Sequence, residues 1–216
     1  MTSPKSVEKP VAVEPRWPGL IAVMAAAILN WLLPEALSAG PGWAAVAAIA
    51  VLAFGALMLP HFHTYFGYAA ATIVTVILGR ALAVLVLDLV THKGAPGELL
   101  QGAVLIWSMN VFVFASWYWR LDAGGPHSRA RMQKYEGGAF LFPQTSLPAE
   151  ARAAARAEGW RPYFIDYLFL AFNTSTALSP TDVPVLSRWA KVLMMIQSLI
   201  ALTTLAVVAA RAVNIL

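Results

Sequence analysis

The stretch from Trp189 to Val213 reads WAKVLMMIQSLIALTTLAVVAARAV, and its charged residues, Lys191 and Arg211, lie near its two ends. An α-helix needs about 20 predominantly apolar residues to cross the hydrocarbon core of a bilayer, which is about 30 Å thick. Inside that core the backbone must satisfy its own hydrogen bonds, and a helix does so within one segment. This stretch therefore predicts a transmembrane helix.

Five earlier stretches are also predominantly apolar, and the last of them is short and polar in its second half. They cover residues 17–37, 43–59, 67–90, 99–119 and 163–178. Together with the stretch described above, they predict an all-α integral membrane protein with six transmembrane helices. The predicted regions are a cytoplasmic tail (1–16), a four-helix transmembrane region (17–119), a basic cytoplasmic loop with a short helix (120–162) and a polar helical hairpin (163–216).

The composition of the chain points to the same class. Hydrophobic residues make up 59% and charged residues 12%, whereas soluble domains average about 45–50% and about 25%. A soluble fold of 216 residues has too little interior to bury that much apolar surface, so we expect lipid to cover much of it. The absence of cysteine excludes disulfides, thiol catalysis and Cys-based metal sites.

Basic residues are concentrated between the apolar stretches, and this distribution predicts the orientation of the chain in the membrane. Seven of them fall in the loop 120–162, namely Arg120, Arg129, Arg131, Lys134, Arg152, Arg156 and Arg161. With six spans and a cytoplasmic amino terminus, eleven Lys and Arg residues lie inside and three, Lys93, Arg188 and Lys191, lie outside. The sequence therefore predicts a multi-pass protein of a bacterial plasma (inner) membrane, with both termini in the cytoplasm and the lipid bilayer, not nucleic acid, as its partner.

A run of polar residues precedes the last helix. It reads YLFLAFNTSTALSPTDVPVLSR over residues 167–188 and resembles the pore module of the potassium-channel superfamily, in which a pore helix, a T-x-T-T-V-G-Y-G-D type filter and an inner helix follow one another. Phe172, Thr174 and Thr176 match the phenylalanine and threonines of that pore helix. Leu178 and Asp182 match the filter valine and the terminal aspartate. The resemblance implies a path for an inorganic cation.

The filter region differs from that pattern at Ser179, Pro180 and Thr181, which stand in place of Gly-Tyr-Gly. The two glycines allow backbone conformations that aim carbonyl groups at the ion, and these three residues adopt such conformations less freely. We therefore expect no potassium-selective carbonyl filter. The whole chain also resembles a widespread family of uncharacterised bacterial membrane proteins with a similar polar hairpin at the carboxyl end, a resemblance that implies no activity.

The segment 163–178 has two interpretations. In potassium channels the pore helix is re-entrant and the segment before it lies outside the cell, whereas here that segment is the basic loop and is expected inside. The sequence therefore favours a fifth helix that crosses the membrane, with residues 179–188 as an outer turn. A structural interpretation competes with the filter, because Ser179 as N-cap, Pro180 at the first helical position and Asp182 three residues after Ser179 fit a capping box.

Polar residues of the last two predicted helices form a candidate ion path. They are Asn173, Thr174, Thr176, Ser179, Thr181, Asp182, Gln197 and Thr204. Gln197, Thr204 and Arg211 recur at a spacing of seven, which places them on one face of a left-handed bundle. We expect that face to meet Asn173 and Thr176. The alternative is plain interhelical hydrogen bonding, which contributes about 0.6–2 kcal/mol per contact in membranes.

Two charged residues lie inside the predicted spans. Arg80 is in the third span, where a lone cation costs at least about 2.5–3.5 kcal/mol to insert, so we expect it to have a partner. The candidates are Asp166, Asn110 and Asp88. Asp166 is only one turn inside the fifth span, and its alternative interpretation is an interfacial residue near Arg161.

Two functions fit these features. The first is a homo-oligomeric channel-like or transport protein that conducts a cation along the last two helices. The second is a non-conducting scaffold or accessory subunit whose basic loop binds anionic lipid or a cytoplasmic partner, since each basic residue near a membrane contributes about 1 kcal/mol. We expect no enzyme, because the spans hold too few titratable groups for acid and base roles. We also expect no cofactor and no metal site, because His61 and His63 have no further ligand nearby in sequence.

Overall fold

The computed structural model describes residue 15 and residues 17–38, 40–59, 61–91, 95–132, 135, 137–155, 157, 159–179 and 182–215. Thr181 and the predicted tail, apart from residue 15, lie outside these residues. The described chain is helical, with α1 at Trp17–Trp31, α2 at Gly42–Met58, α3 at His63–Thr91, α4 at Pro96–Leu121, α5 at Pro126–Arg131, α6 at Pro143–Ser146, α7 at Ala149–Ala154, α8 at Phe164–Ala177 and α9 at Arg188–Ile215. A short 3-10 turn, Asp122–Gly124, joins α4 to α5.

Among the described residues, three helices are long and apolar enough to cross a membrane, and they fit a membrane-embedded protein. They are His63–Thr91, Pro96–Gly124 and Arg188–Arg211. The apolar helices α1 and α2 have 15 and 17 residues, which corresponds to about 22 and 26 Å at 1.5 Å per residue. With 14 residues, α8 is about 21 Å long. The prediction of six transmembrane helices is thus matched by three helices of full length.

The central element is α4, which packs against α1, α3, α8 and α9. Its middle is buried on nearly all sides, as Met109, Asn110, Val111 and Ala115 show. A helix that is buried all round belongs at the centre of a bundle.

The first four helices run alternately up and down. A methyl group at Gly19 near the start of α1 would overlap the ring of Trp119, and one at Gly67 near the start of α3 would overlap the guanidinium of Arg120. At the other end of α4, a methyl group at Gly102 would overlap Leu37, which follows α1. The starts of α1 and α3 therefore lie beside the end of α4, which we call the Arg120 end of the bundle.

The half-length helix α8 also begins at the Arg120 end. Phe164 in its first turn packs edge-on against Trp119, with 5.8 Å between ring centroids. Near its other end, the carbonyl oxygen of Ser175 accepts a hydrogen bond of 3.4 Å from Trp107 Nε1. Since Trp119 precedes the end of α4 by two residues and Trp107 lies deep in the bundle, α8 runs antiparallel to α4.

The last helix, α9, begins at that same end. Trp189 in its first turn lines a surface groove together with Leu121 at the end of α4, and Gln197 two turns later meets Tyr118 and Asn110. The helices α8 and α9 are therefore parallel, and the chain returns to the Arg120 end between them. We call the described residues of this connection, 178, 179 and 182–187, the return segment.

The structure thus differs from the prediction that residues 179–188 form an outer turn after a fifth crossing helix, because the chain returns to the end of the bundle at which α8 begins. Two backbone hydrogen bonds hold the end of the return segment against the loop after α5, from Leu141 N to the oxygen of Pro184 (2.9 Å) and from Leu186 N to the oxygen of Ala139 (2.8 Å). This pairing fixes the start of α9 beside the start of α8. Because α9 has 28 residues and extends about 42 Å, it ends at the opposite end of the bundle from the start of α1.

Candidate functional site

A buried hydrogen-bond network joins α4, α8 and α9. Gln197 is fully buried, and its Oε1 accepts a 2.5 Å hydrogen bond from the hydroxyl of Tyr118. Its Nε2 donates to the carbonyl oxygen of Ala171 (2.7 Å) and to Ser175 Oγ (2.9 Å). Asn110 Nδ2 donates to the carbonyl oxygen of Gln197 (3.1 Å) and to Ser175 Oγ (3.4 Å). The network attaches the middle of α8 to both of its neighbours.

The spacing of seven along α9 places Gln197, Thr204 and Arg211 on one buried face. Gln197, Thr204 and Arg211 are 0%, 1% and 7% exposed. Thr204 donates within its own helix, to the carbonyl oxygens of Ile200 (3.1 Å) and Ala201 (2.8 Å).

The buried face of α9 contacts other residues of α8 than those predicted. Gln197 meets Ala171 and Ser175 of α8, whereas it was predicted to face Asn173 and Thr176. With 3.6 residues per turn, Ala171 and Ser175 lie on a different side of α8 from Asn173 and Thr176. Packing, and not the most polar residues of α8, therefore sets which side of that helix faces α9.

The polar run of α8 divides between two sides of the helix. Thr174 is buried and donates to the carbonyl oxygen of Leu170 (2.8 Å). Asn173 is half-buried, and Thr176 is exposed and donates to the carbonyl oxygens of Phe172 (3.0 Å) and Asn173 (3.2 Å). An inward side thus holds the helix in place, and an outward side carries hydroxyl and amide groups to the surface of the single chain.

The return segment begins with a break in the helix. Leu178 has a left-handed backbone conformation, with φ at 54°, which ends α8. Ser179 and Asp182 are exposed, and Pro180 and Thr181 between them lie outside the described residues. The residues predicted for a filter or a capping box therefore follow the carboxyl end of α8 directly.

A second buried network lies at the Arg120 end, and the sequence interpretation missed it. The carboxylate of Asp122 is fully buried. Its Oδ2 accepts hydrogen bonds from the hydroxyls of Tyr135 (2.8 Å) and Tyr167 (2.6 Å), and its Oδ1 accepts one from the backbone N–H of Ala139 (2.6 Å). A methyl group at Gly138 would overlap this carboxylate, so glycine is needed there.

Burial and the negative charge of Asp122 raise the pKa of Tyr135, so its hydroxyl stays protonated and acts as a donor.

The aromatic residues of the loop 120–162 are the sequence feature that could have predicted this network. The charged residues of the same loop led instead to the prediction of a polar segment. Phe140 and Phe142 are buried and pack edge-on against Tyr167.

Basic residues of the loop are partly used inside the fold. Arg129 is buried, with Nη1 donating to the carbonyl oxygens of Trp119 (2.8 Å) and Asp122 (2.9 Å). Its guanidinium lies 5.0 Å from the ring centroid of Tyr167. Arg161 donates to three backbone carbonyls, including that of Arg129. These two arginines therefore hold the loop on the bundle instead of extending toward a partner.

The two predicted intramembrane charges do not meet. Arg80 is exposed on α3 and forms no ion pair or hydrogen bond with any residue that the structure describes. Asp166 accepts a hydrogen bond from the backbone N–H of Tyr163 (2.7 Å) at the start of α8, and Asn110 belongs to the network on Gln197. The prediction of a partner for Arg80 within the chain is thus wrong for Asp166 and Asn110, and Asp88 forms no pair with Arg80 either.

Within the described part of the chain, no three His, Cys, Asp or Glu side chains are grouped so as to hold a metal ion. The chain matches none of the protein-family models, none of the curated proteins and none of the solved structures with which it was compared.

Proposed function

We propose that this chain is the subunit of a homo-oligomeric membrane channel or transport protein, in which α8, the return segment and α9 border a path for a small inorganic cation. The observation that carries the proposal is the parallel arrangement of α8 and α9. A half-length helix followed by an irregular return segment is the arrangement of a pore module, as the sequence resemblance implies.

The depth of the return segment supports a path. Trp17, Tyr163 and Trp189 are exposed at the Arg120 end, and such rings prefer the membrane interface. From that level α8 descends about 21 Å into a hydrocarbon core about 30 Å thick. Irregular backbone at that depth is tolerated only where it is covered by protein or borders a water-filled cavity.

On the single chain, this deep region is open. Leu178 is 40% exposed, and Ser179 and Asp182 are exposed as well. Further copies of the chain around a shared axis would cover the apolar part of this surface and leave the polar part in contact with water. This is the reason for proposing a homo-oligomer.

The chemistry of this region favours a cation. The carboxyl end of a helix carries a partial negative charge equivalent to about half an elementary charge, and the carboxyl end of α8 lies deep in the bundle. Asp182 adds a carboxylate, and Thr176 and Ser179 add hydroxyl oxygens. Gln197, Thr174 and Thr204 are buried, so we assign none of them to contact with the ion. Gln197 instead holds α8 in position through Ala171 and Ser175.

The proposed orientation places the Arg120 end in the cytoplasm. Five helices then cross the membrane, α8 enters from the cytoplasmic side and returns, and the end of α9 lies outside. Twelve of the fifteen Lys and Arg residues are then cytoplasmic, and two, Lys93 and Arg211, are outside. This bias is stronger than that of the predicted arrangement with both termini inside, and it removes the conflict between a re-entrant helix and a cytoplasmic basic loop.

Cation flux through reconstituted liposomes tests the function. We expect wild type to conduct and Asp182→Asn to lower the flux several-fold, because a negative charge beside the path is lost. Glu98→Gln in the first turn of α4 removes an exposed carboxylate at another place and is the matched control. Absence of flux for every small cation in wild type, or an equal loss in both variants, would refute the proposal.

Cysteine labelling on this cysteine-free chain tests the orientation. Single cysteines at Ser128 and at an added residue after Leu216 should react with a membrane-impermeant reagent from opposite sides of the membrane. Labelling of both from one side would contradict the re-entrant placement of α8.

A further inference from the structure

A cavity of about 240 Å³ lies at the Arg120 end, and none of the described residues that line it belongs to α8 or α9. The first helix, the end of α2, the start of α3 and the turn after α4 all contribute to its wall. Its polar lining comes from His63, Thr64, Tyr68, Arg120 and His127. No carboxylate is among the described residues that line it.

Arg120 is held in the wall with no counter-charge among the residues that the structure describes. Its guanidinium occupies the space that the missing side chain of Gly67 leaves open, and it lies 5.4 Å from the ring centroid of Trp119. Its Nε is buried and has no hydrogen-bond partner among the described residues. It also forms no ion pair with any of them. A cation in such a place is costly unless an anion or water meets it.

Further polar groups surround the same space. The rings of His63 and His127 come from two different elements and lie 6.4 Å apart, and Thr64 Oγ1 is 3.2 Å from His63 Nε2. The hydroxyl of Tyr68 donates to the backbone oxygen of Arg120 at 3.4 Å, next to the guanidinium. The cavity thus combines a fixed positive charge with imidazole and hydroxyl groups, and it lacks a fixed negative charge among its described residues.

We propose that this cavity binds the phosphate group of an anionic ligand through Arg120. The guanidinium has a planar set of N–H donors that matches phosphate oxygens. A volume of about 240 Å³ is below the range of about 300–1,000 Å³ that encloses a drug-sized molecule, so it suits a phosphate group with a small substituent. Leu57 in the wall and Tyr65 nearby are exposed, which places apolar surface beside the opening for the chains of a phospholipid.

Two sources can supply this phosphate, a lipid headgroup or a free phosphate in the cytoplasm, and binding measurements distinguish them. The full-length protein in mixed micelles is titrated with phosphatidylglycerol, with phosphatidylcholine and with inorganic phosphate, and bound ligand is counted by native mass spectrometry. We expect phosphatidylglycerol to bind more tightly than phosphatidylcholine. Binding of inorganic phosphate alone would support the site and assign it to a free phosphate.

The variants locate the site. Arg120→Gln should weaken the binding about tenfold to a hundredfold, the effect of losing one or two charge-assisted hydrogen bonds. Arg131→Gln removes an exposed arginine of α5 that does not line the cavity, and it should change the affinity less than twofold. If Arg120→Gln does not fold, Gly67→Ala is measured in its place. The added methyl group displaces the guanidinium of Arg120 from its position, while the charge of Arg120 is kept, and the binding should weaken as well.

The proposal would be overturned if the two phospholipids bound equally well and no binding of inorganic phosphate were detected. An equal loss in Arg120→Gln and Arg131→Gln would also overturn it, because the binding would then be a general effect of surface charge. The measurement is independent of ion flux, so its failure leaves the proposed path of cations untouched.

Discussion

Replacing Gln197 by Leu should detach α8 from the centre of the bundle. The side chain forms three hydrogen bonds, with Tyr118 (2.5 Å), Ala171 (2.7 Å) and Ser175 (2.9 Å). In membranes such bonds contribute about 0.6 kcal/mol on average and up to about 1.7 kcal/mol, so three give about 2–5 kcal/mol. Leu is similar in size and recovers part of this by packing. We expect the free energy of unfolding to fall by about 2–4 kcal/mol.

Equilibrium unfolding in mixed micelles measures this loss. Gln101→Leu is the matched control, since Gln101 is exposed on α4 and donates a single long hydrogen bond of 3.5 Å to the backbone oxygen of Leu32. We expect that control to cost less than about 0.6 kcal/mol. In a Tyr118→Phe background the loss on Gln197→Leu should shrink by about 1–2 kcal/mol, because the buried hydroxyl that loses its acceptor is no longer present.

Two results would refute this reasoning. One is an equal cost for the two glutamine substitutions, which would mean that burial and bond number do not set the effect. The other is strict additivity of Gln197→Leu and Tyr118→Phe, which would mean that the two side chains do not interact. A loss of cation flux in Gln197→Leu at a temperature where the variant is folded would further link the position of α8 to the proposed path.

Three other substitutions test the remaining structural claims. Asp122→Asn should lower the free energy of unfolding by about 2–4 kcal/mol and expose the loop to proteolysis, because the amide cannot accept from both tyrosine hydroxyls and the backbone N–H; unchanged protease resistance would contradict it. Gly138→Ala should cost about 1–3 kcal/mol through overlap with that carboxylate, whereas Gly97→Ala, with nothing near its added methyl group, should be neutral or slightly stabilising. Arg80→Leu should leave the free energy of unfolding of the single chain within about 0.5 kcal/mol, and a loss above about 1 kcal/mol would show that Arg80 has a partner inside the chain.

The sequence by itself determined that this protein is helical and apolar enough for a membrane, and it also determined which side of α9 faces inward. Lipid leaves the backbone no partner outside its own segment, so long apolar stretches become helices wherever they occur. The period of the helix then places Gln197 and Thr204 on one face whatever they contact. Both inferences use only neighbours in sequence.

Only the tertiary structure decided the direction of α8 and the two polar sites at the Arg120 end. The direction depends on backbone pairing between residues 139–141 and 184–186, and the network on Asp122 joins it to Tyr135 and Tyr167. The cavity likewise brings His63 of α3 to His127 of α5. These contacts join residues that are far apart in the chain, and they follow from how the helices pack around α4. Helix periodicity and local propensity describe only neighbours in sequence, so they do not predict such contacts.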